Sequence, residues 1–334
     1  MVKGYISLAE ARAAQADRLA AAAAAIGGEV DSAQRAGALQ GPGPIFLGIG
    51  ASFAASAAAV WTLRSRGIHS FRLNAGEYPI PFPATNHPLV GVSQSGKSAE
   101  TLAVFNSIDR ALRISVVNAK ESPIAAMSAV NIALGAIPDS YASTTGYTAT
   151  IMALGMIAEA WDGGVVDPSW AAVPSAVRAL EKALANQIDT LVSRLKDAGY
   201  IDCAAVAQSV GSAEVGSLLL REIARLPSTG MSTRQYLHGA MESAGKGTHI
   251  LFGDEREADL ARTLARAGHE TILISPLAIS EEAHLSHIAL PQLSAAQRPI
   301  LEAVVMQTLA VETAIARGLD PDAFVFEHND TKVA

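Results

Sequence analysis

Residues 90–102 read Val-Gly-Val-Ser-Gln-Ser-Gly-Lys-Ser-Ala-Glu-Thr-Leu, an apolar run that passes through a hydroxyl-rich turn into a helix-forming stretch. The run ending at Val92 has the character of a buried parallel strand, Gly96 permits a tight turn, and Ser98-Ala99-Glu100-Thr101 reads as a helix N-cap and first turn. Unpaired backbone N–H groups and the positive end of the helix dipole face such a turn, and Ser93, Ser95 and Ser98 add hydroxyl donors. That combination binds phosphate. A single Ser-Gly turn is usually no more than a capped connection. Three serines around one glycine between strand and helix favour the anion site.

A second pair of residues could move protons. Glu222 lies among apolar neighbours in Leu218-Leu219-Leu220-Arg221-Glu222-Ile223, and His238 follows 16 residues later in Tyr236-Leu237-His238-Gly239-Ala240. A carboxylate that carries a proton between adjacent carbons must be partly desolvated, so that its pKa rises toward working pH. A histidine transfers protons near neutrality. Taken singly, each has a commoner structural role: Glu222 in a helix-surface ion pair with Arg221 or Arg225, and His238 as a helix-capping or core histidine.

Composition narrows the setting for this chemistry. The 334 residues allow two domains of ordinary size, and the sequence is 50% hydrophobic, 5% aromatic and rich in alanine, which suits helices packed on parallel sheets. A net charge of −7 and a pI near 5.6 leave no basic stripe for nucleic acid. Cys203, the single cysteine, excludes an intrachain disulfide framework and a cysteine-rich metal site and predicts a reducing, cytoplasmic compartment. Residues 1–28 are amphipathic and mixed in charge, no apolar run approaches the roughly 20 residues that span a bilayer, and neither export nor membrane binding is expected.

The elements that must position these groups alternate regularly. Leu8, Ala11, Leu19, Ala22 and Ile26 form one helical face of a lead-in helix that Gly27-Gly28 is expected to end. Strand-like segments follow at 44–49, 70–74, 90–92, 114–118 and 131–134, with helices between them, and a long helix spans about 148–161. Residues 163–174 read as a linker and about 174–198 as one crossing helix. Alternation then restarts at 204–207, 248–252 and 270–274. The pattern predicts parallel sheets with helices on both faces, and ligands at the carboxyl ends of the strands. It also repeats internally. The turn equivalent to the serine loop is Gly253-Asp254-Glu255-Arg256-Glu257, whose carboxylates would repel a phosphate, so one anion site per chain is expected. Gly48 and Gly50 suggest a dinucleotide turn, but Phe53 stands where its third glycine belongs and no acidic residue lies about 20 positions on.

Ser93-Gln94-Ser95-Gly96 with Ser98 resembles the sugar-phosphate loop of the sugar isomerase (SIS) domain, in particular that of the isomerase half of glutamine–fructose-6-phosphate transaminase. Lys97-Ser98 replaces the usual Glu-Thr; Ser98 can stand in for the threonine hydroxyl, and Lys97 could help hold a dianion. The resemblance implies that Ser52 lies beside the phosphate and sugar hydroxyls with Gln94, and that Ser143, in Tyr141-Ala142-Ser143-Thr144-Thr145, belongs to a segment that closes over the sugar. Ser143 and Thr144 are equally suited to capping the helix that follows. The spacing of Arg-Glu-Ile to His-Gly is similar to the family's. It implies that Glu222 shuttles a proton between C1 and C2 of the open-chain sugar, and that His238 assists ring opening in a neighbouring subunit's site. Ala240 replaces the family's proline. Leu319-Asp320-Pro321-Asp322 followed by Lys332-Val333 resembles the closing segment whose lysine engages the sugar carbonyl, which implies Lys332, with His328 second.

The fold implied is α/β: two tandem SIS domains, each a parallel five-stranded sheet flanked by helices in a flavodoxin-like three-layer sandwich. The divisions expected are a lead-in helix at 1–30, a first domain at 31–165, a second at 166–320 and a closing tail at 321–334. No N-terminal cysteine nucleophile is present, so glutamine-driven synthesis is not expected. The function implied is isomerisation and deamination of an aminohexose 6-phosphate without metal or organic cofactor, in a homodimer with shared sites. The alternatives are a fructosamine-6-phosphate deglycase and a noncatalytic sugar-phosphate sensor.

Overall fold

The structure is a computed structural model that describes residues 4–280, 282–326 and 331–333. His328 lies outside the described residues. The chain opens with α1 (Leu8–Ala13) and α2 (Gln15–Arg35), then runs β1 (Ile45–Gly48), α3 (Ala51–Ser65), β2 (Phe71–Asn74), β3 (Leu89–Val92), α4 (Ala99–Asn106), β4 (Arg113–Val117), α5 (Pro123–Met127), β5 (Val130–Ala133) and α6 (Thr145–Ala160). After α7 (Val173–Leu184) and α8 (Ile188–Leu195) come β6 (Ile201–Ala205), α9 (Val210–Glu222), β7 (Ser228–Ser232), α10 (Thr233–Leu237), β8 (Thr248–Phe252), α11 (Glu255–Arg266), β9 (Glu270–Ser275), β10 (Leu285–Ala289) and α12 (Arg298–Ala316).

The strands make two five-stranded parallel sheets, ordered β2-β1-β3-β4-β5 and β10-β9-β8-β6-β7. Read from the opposite edge, the second order is β7-β6-β8-β9-β10, so β6 to β10 occupy in sequence the places of β1 to β5. Both sheets reverse direction between their first and third strands, where a parallel sheet leaves a crevice at its carboxyl edge. Helices cover both faces, and their small residues let backbones approach closely: a β-carbon on Gly211 of α9 would strike the Ala54 carbonyl of α3. The packing of α3 on α9, and of α9 on α12, joins the two halves through one continuous apolar core. Arg72 on β2 adds a two-pronged ion pair to Glu214 on α9, at 2.5 and 2.7 Å.

The lead-in face is buried as its spacing predicts, at Leu8, Ala11, Leu19, Ala22 and Ile26, but Gly27-Gly28 does not end the helix. Val30 and Ala33 continue the buried stripe along the same helix, which packs on α6, and this burial outweighs the roughly 1 kcal/mol that each glycine costs a helix. The expected single helix at 174–198 is two, α7 and α8, broken at Ala185–Gln187. The first packs on α2 and α12 and the second on α12 and β9, and a straight rod could not serve both. The strands β7 and β10 escaped the sequence pattern. They are the two edges of their sheet, and Ser228–Ser232 and Leu285–Ala289 carry too few apolar residues to read as buried strands. Helix α12 is long and apolar enough to cross a membrane by length and composition, yet it is 83% buried, as the central helix of a packed core would be.

Candidate functional site

The serine turn lies at the carboxyl edge of β3, the middle strand of its sheet. Gly96 takes φ +65°, and a β-carbon there would collide with Ser122 Oγ, so the turn can close only around glycine. Ser93 N–H donates to Val116 O at 3.1 Å and Gly96 N–H to Ser93 O at 3.0 Å, which pins the turn to β4. Ser98 caps α4 by position but makes no side-chain cap bond; its hydroxyl donates to Glu100 Oε2 at 3.0 Å.

Ser52, Ser93, Gln94, Ser95 and Ser98 line one cavity of about 400 Å³, together with Asn118, Asp139 and Tyr141. Five of the sequence-derived ligands are thereby brought together. Ser143 is not on the wall: its hydroxyl donates to Asp139 Oδ2 at 2.7 Å. Asp139 is the hub that sequence reasoning missed. It is almost fully buried, accepts from Gln94 Nε2 at 2.8 Å and from the Thr144 hydroxyl at 2.6 Å, and takes the backbone N–H groups of Thr144, Thr145 and Gly146. It therefore caps α6 and orients Gln94 at once. An aspartate five residues ahead of a Thr-Thr-Gly helix start was the available signal.

Among the described residues that line the cavity, the cation is Lys332 of the C-terminal tail. Lys332 bridges to Ser98 in antiparallel fashion, Val333 N–H donates to Lys97 O at 3.0 Å, and Ala99 N–H donates to Thr331 O at 3.2 Å. The Lys332 ammonium donates to Tyr5 Oη at 3.3 Å and lies 5.8 Å from the ring centres of Tyr5 and Tyr141. Lys97, expected to help a dianion, is not among the residues lining the cavity; its carbonyl secures the tail instead. The N-terminal segment is fastened in the same place, with Leu8 N–H donating to Asp322 Oδ1 at 2.9 Å and Ile6 N–H to Asp139 O at 3.1 Å. Glu100 also lines the cavity, so its wall carries a carboxylate as well as the Lys332 ammonium.

Glu222 is the last residue of α9 and lines a neighbouring cavity of about 520 Å³ with Arg221, Arg225 and Phe324; Tyr141 is a wall of both cavities. Burial raises its carboxyl to a pKa of about 7. None of the ion pairs among the described residues involves Glu222, Arg221 or Arg225. Arg221 Nε donates to Ser228 O at 2.5 Å and Arg225 Nη2 to Ala323 O at 3.1 Å. The surface pairing that residue types alone allowed for Glu222 is therefore not made. His238 caps the end of α10, is exposed, and lines neither cavity of this chain.

A parallel α/β sheet with a hydroxyl-lined cavity at its reversal point has the geometry suited to a phosphate ester. Residues 45–160, which carry the first sheet with α3 to α6, match the SIS domain family. The family match is single and does not extend over the second sheet. In sequence the chain is 29% identical over 253 residues to the glutamine–fructose-6-phosphate aminotransferase of Bradyrhizobium diazoefficiens, and 25% identical over 265 residues to that of Bacillus spizizenii. These alignments take in 69% and 73% of this chain but 41% and 43% of the relatives, so the chain matches about two-fifths of their length. In fold it is similar to the C-terminal domain of glucosamine-fructose-6-phosphate aminotransferase from Francisella tularensis, with TM-score 0.80, 18% identity, and coverage of 96% of this chain and 99% of the other. It is also similar to tagatose-6-phosphate ketose/aldose isomerase from Escherichia coli, with TM-score 0.78, 15% identity, and coverage of 97% and 96%.

Proposed function

We propose that this chain is a phosphosugar aldose–ketose isomerase that deaminates an aminohexose 6-phosphate, giving fructose 6-phosphate and ammonia. One observation carries the reading: a serine-lined anion cavity adjoins, across Tyr141, a cavity walled by a carboxyl whose pKa is about 7. Ser52, Ser93, Gln94, Ser95 and Ser98 hold the phosphate and sugar hydroxyls, with Ser143 acting on them through Asp139. Lys332 engages the carbonyl, and His238 of a second copy opens the ring. Glu222 as carboxylate takes the proton from C2 of the open-chain aldose, and the electron pair moves to the C1 oxygen as an enolamine. The proton returns to C1, leaving an imine at C2 that water hydrolyses with loss of ammonia. The substrate's own C1–C2 unit carries the charge, so the mechanism calls on no metal or organic cofactor. The proposal includes a second SIS domain at 166–320, supported by the matching strand order, and a cytoplasmic homodimer.

A second reading is favoured by a specific observation. Arg221 and Arg225 face the Glu222 cavity without a carboxylate partner among the described residues, leaving room and charge for the amino acid of a fructosamine 6-phosphate. The test is incubation with glucosamine, galactosamine and fructosamine 6-phosphates while ammonia, ketose phosphate and free amino acid are followed. Ammonia with fructose 6-phosphate supports deamination. Amino acid release transfers the assignment to the deglycase, and a thermal shift without product reduces the chain to a sensor.

A further inference from the structure

The second sheet has a counterpart of the anion site, and the chain fills it with its own carboxylate. Ser52 stands four residues beyond the end of β1, and Ser209 stands four residues beyond the end of β6, the strand in the same place. The hydroxyl of Ser209 donates to Glu302 Oε1 at 2.7 Å, and that of Ser212, in the first turn of α9, donates to Glu302 Oε2 at 2.5 Å. Arg298 Nε lies 3.4 Å from Glu302 Oε1, while Arg298 Nη1 holds Asp254 Oδ1 at 2.7 Å in the turn that corresponds to the serine loop. Glu302 has no exposed surface. Burial raises the Glu302 carboxyl, and the Arg298 guanidinium with the Ser212 and Ser209 hydroxyls opposes that rise; two hydroxyl donors at these lengths and a guanidinium alongside are how an ionised carboxylate is bound. The fifth residue of α12 is this glutamate; the fifth residue of α6, its counterpart, is Ala149.

We propose that Glu302 is a resident anion in a carboxylate-binding site formed by Ser209, Ser212 and Arg298, and that it closes the second half to external ligands. The site serves the first half as well. Its donors include the start of α9, whose last residue is Glu222, so the internal carboxylate fixes one end of the helix that delivers the proposed base.

The experiment uses the full chain and formate as probe, with neutral formamide as control. Glu302→Ala vacates the site and leaves two buried hydroxyls and Arg298 Nε without their acceptor, so Tm is expected to fall by roughly 5–10 °C. Formate is expected to restore part of that loss saturably, formamide much less, and neither to act so on the wild type. Equal response to formate and formamide, or an equal response of wild type and variant, overturns the proposal. If Glu302→Ala does not fold, Glu302→Gln replaces it in a double-mutant cycle. Ser212→Ala is expected to lower Tm in the wild type and to add little in Glu302→Gln; an equal loss in both backgrounds refutes an ionised resident. These readouts involve no turnover, so they stand or fall apart from the proposed deaminase.

Discussion

The turn after β3 and the turn after β8 occupy the same place in two sheets of the same strand order, yet they meet opposite needs. In the first, Gly96 at φ +65° closes against Ser122 and leaves serine hydroxyls facing an open cavity. In the second, Gly253 closes against the side chain of Glu257, which reaches back to the Asp254 N–H at 3.3 Å as one half of a capping box. Both turns present helix N-termini, and in both the dipole is answered by negative charge. In the first the helix's own carboxylate is Glu100, and the proposed function leaves further charge to a ligand; in the second, Asp254 and Glu257 form the capping box and Glu302 is the proposed resident anion. Topology therefore creates a place for an anion, and side chains decide whether the anion comes from outside. The half without an open anion site gives up α9, and with it Glu222, to the half that has one.

The sharpest break of this comparison is Glu222→Gln. It should leave sugar-phosphate binding in place while turnover falls by a factor on the order of 10² to 10⁴, because the amide cannot accept the proton. Steady-state kinetics beside calorimetric binding measure both, and full turnover in the variant would confine all chemistry to the first half. The same carboxyl has a stability signature of fixed sign. Its pKa is about 7 folded and 4.5 for an unperturbed glutamate, so the folded chain holds this proton where the unfolded chain has lost it. The stabilising effect of that proton is complete below pH 4.5, fades as pH rises to about 7, and amounts to at most about 3 kcal/mol. Urea titrations from pH 4.5 to 8.5 should show that decline in the wild type and not in Glu222→Gln.

A matched pair of hydroxyl deletions sharpens the contrast itself. Ser52→Ala should weaken sugar-phosphate binding by roughly 10- to 100-fold, the worth of one hydrogen bond to a charged group, with little change in Tm. Ser209→Ala should do the reverse, costing about 1–3 kcal/mol of stability with binding unchanged. If both variants behaved alike in calorimetry and thermal unfolding, the division between an open and a closed site would be lost. The smallest effect belongs to His249, buried in the second sheet with Tyr236 Oη at 3.0 Å and Asp202 Oδ2 at 3.7 Å. Burial, helped by His269, lowers its pKa to about 4. Its contribution is whole above pH 6.5 and is lost as pH falls toward 4. Burial raises the Asp202 carboxyl and partly cancels that loss. His249→Gln should flatten the acid limb by less than about 3 kcal/mol and leave turnover untouched.

Much of this was legible in the sequence because it is local. An apolar strand, a glycine that must adopt positive φ, and serines at the head of a helix are neighbours in the chain, so the cavity wall of Ser93, Ser95 and Ser98 could be read directly. The repeat was visible too, since strand and helix periods survive where side chains have diverged, and Gly253–Glu257 could be recognised as a turn hostile to phosphate. The edge strands β7 and β10 could not be read, because Ser, Thr, Gly and His interrupt their apolar residues, and the helix through Gly27-Gly28 was hidden because burial on α6 overrode local propensity.

What the sequence determined by itself, then, was a pair of alternating β/α units and a phosphate-suited turn in the first of them, both consequences of short-range spacing. The tertiary structure alone decided which distant groups meet there. It brought Lys332 onto Tyr5 and Tyr141, made Asp139 rather than Ser143 the organiser of the wall, and placed Glu222 behind Tyr141, where loss of water raises its pKa. It also sealed Glu302 under Ser209 and Ser212. Glu302 lies 93 and 90 positions from Ser209 and Ser212, and Lys332 lies 327 from Tyr5; pairings at such separations depend on packing such as that of α3 on α9 and of α9 on α12, and burial, which shifts the charge of a carboxyl, exists only once those faces have closed.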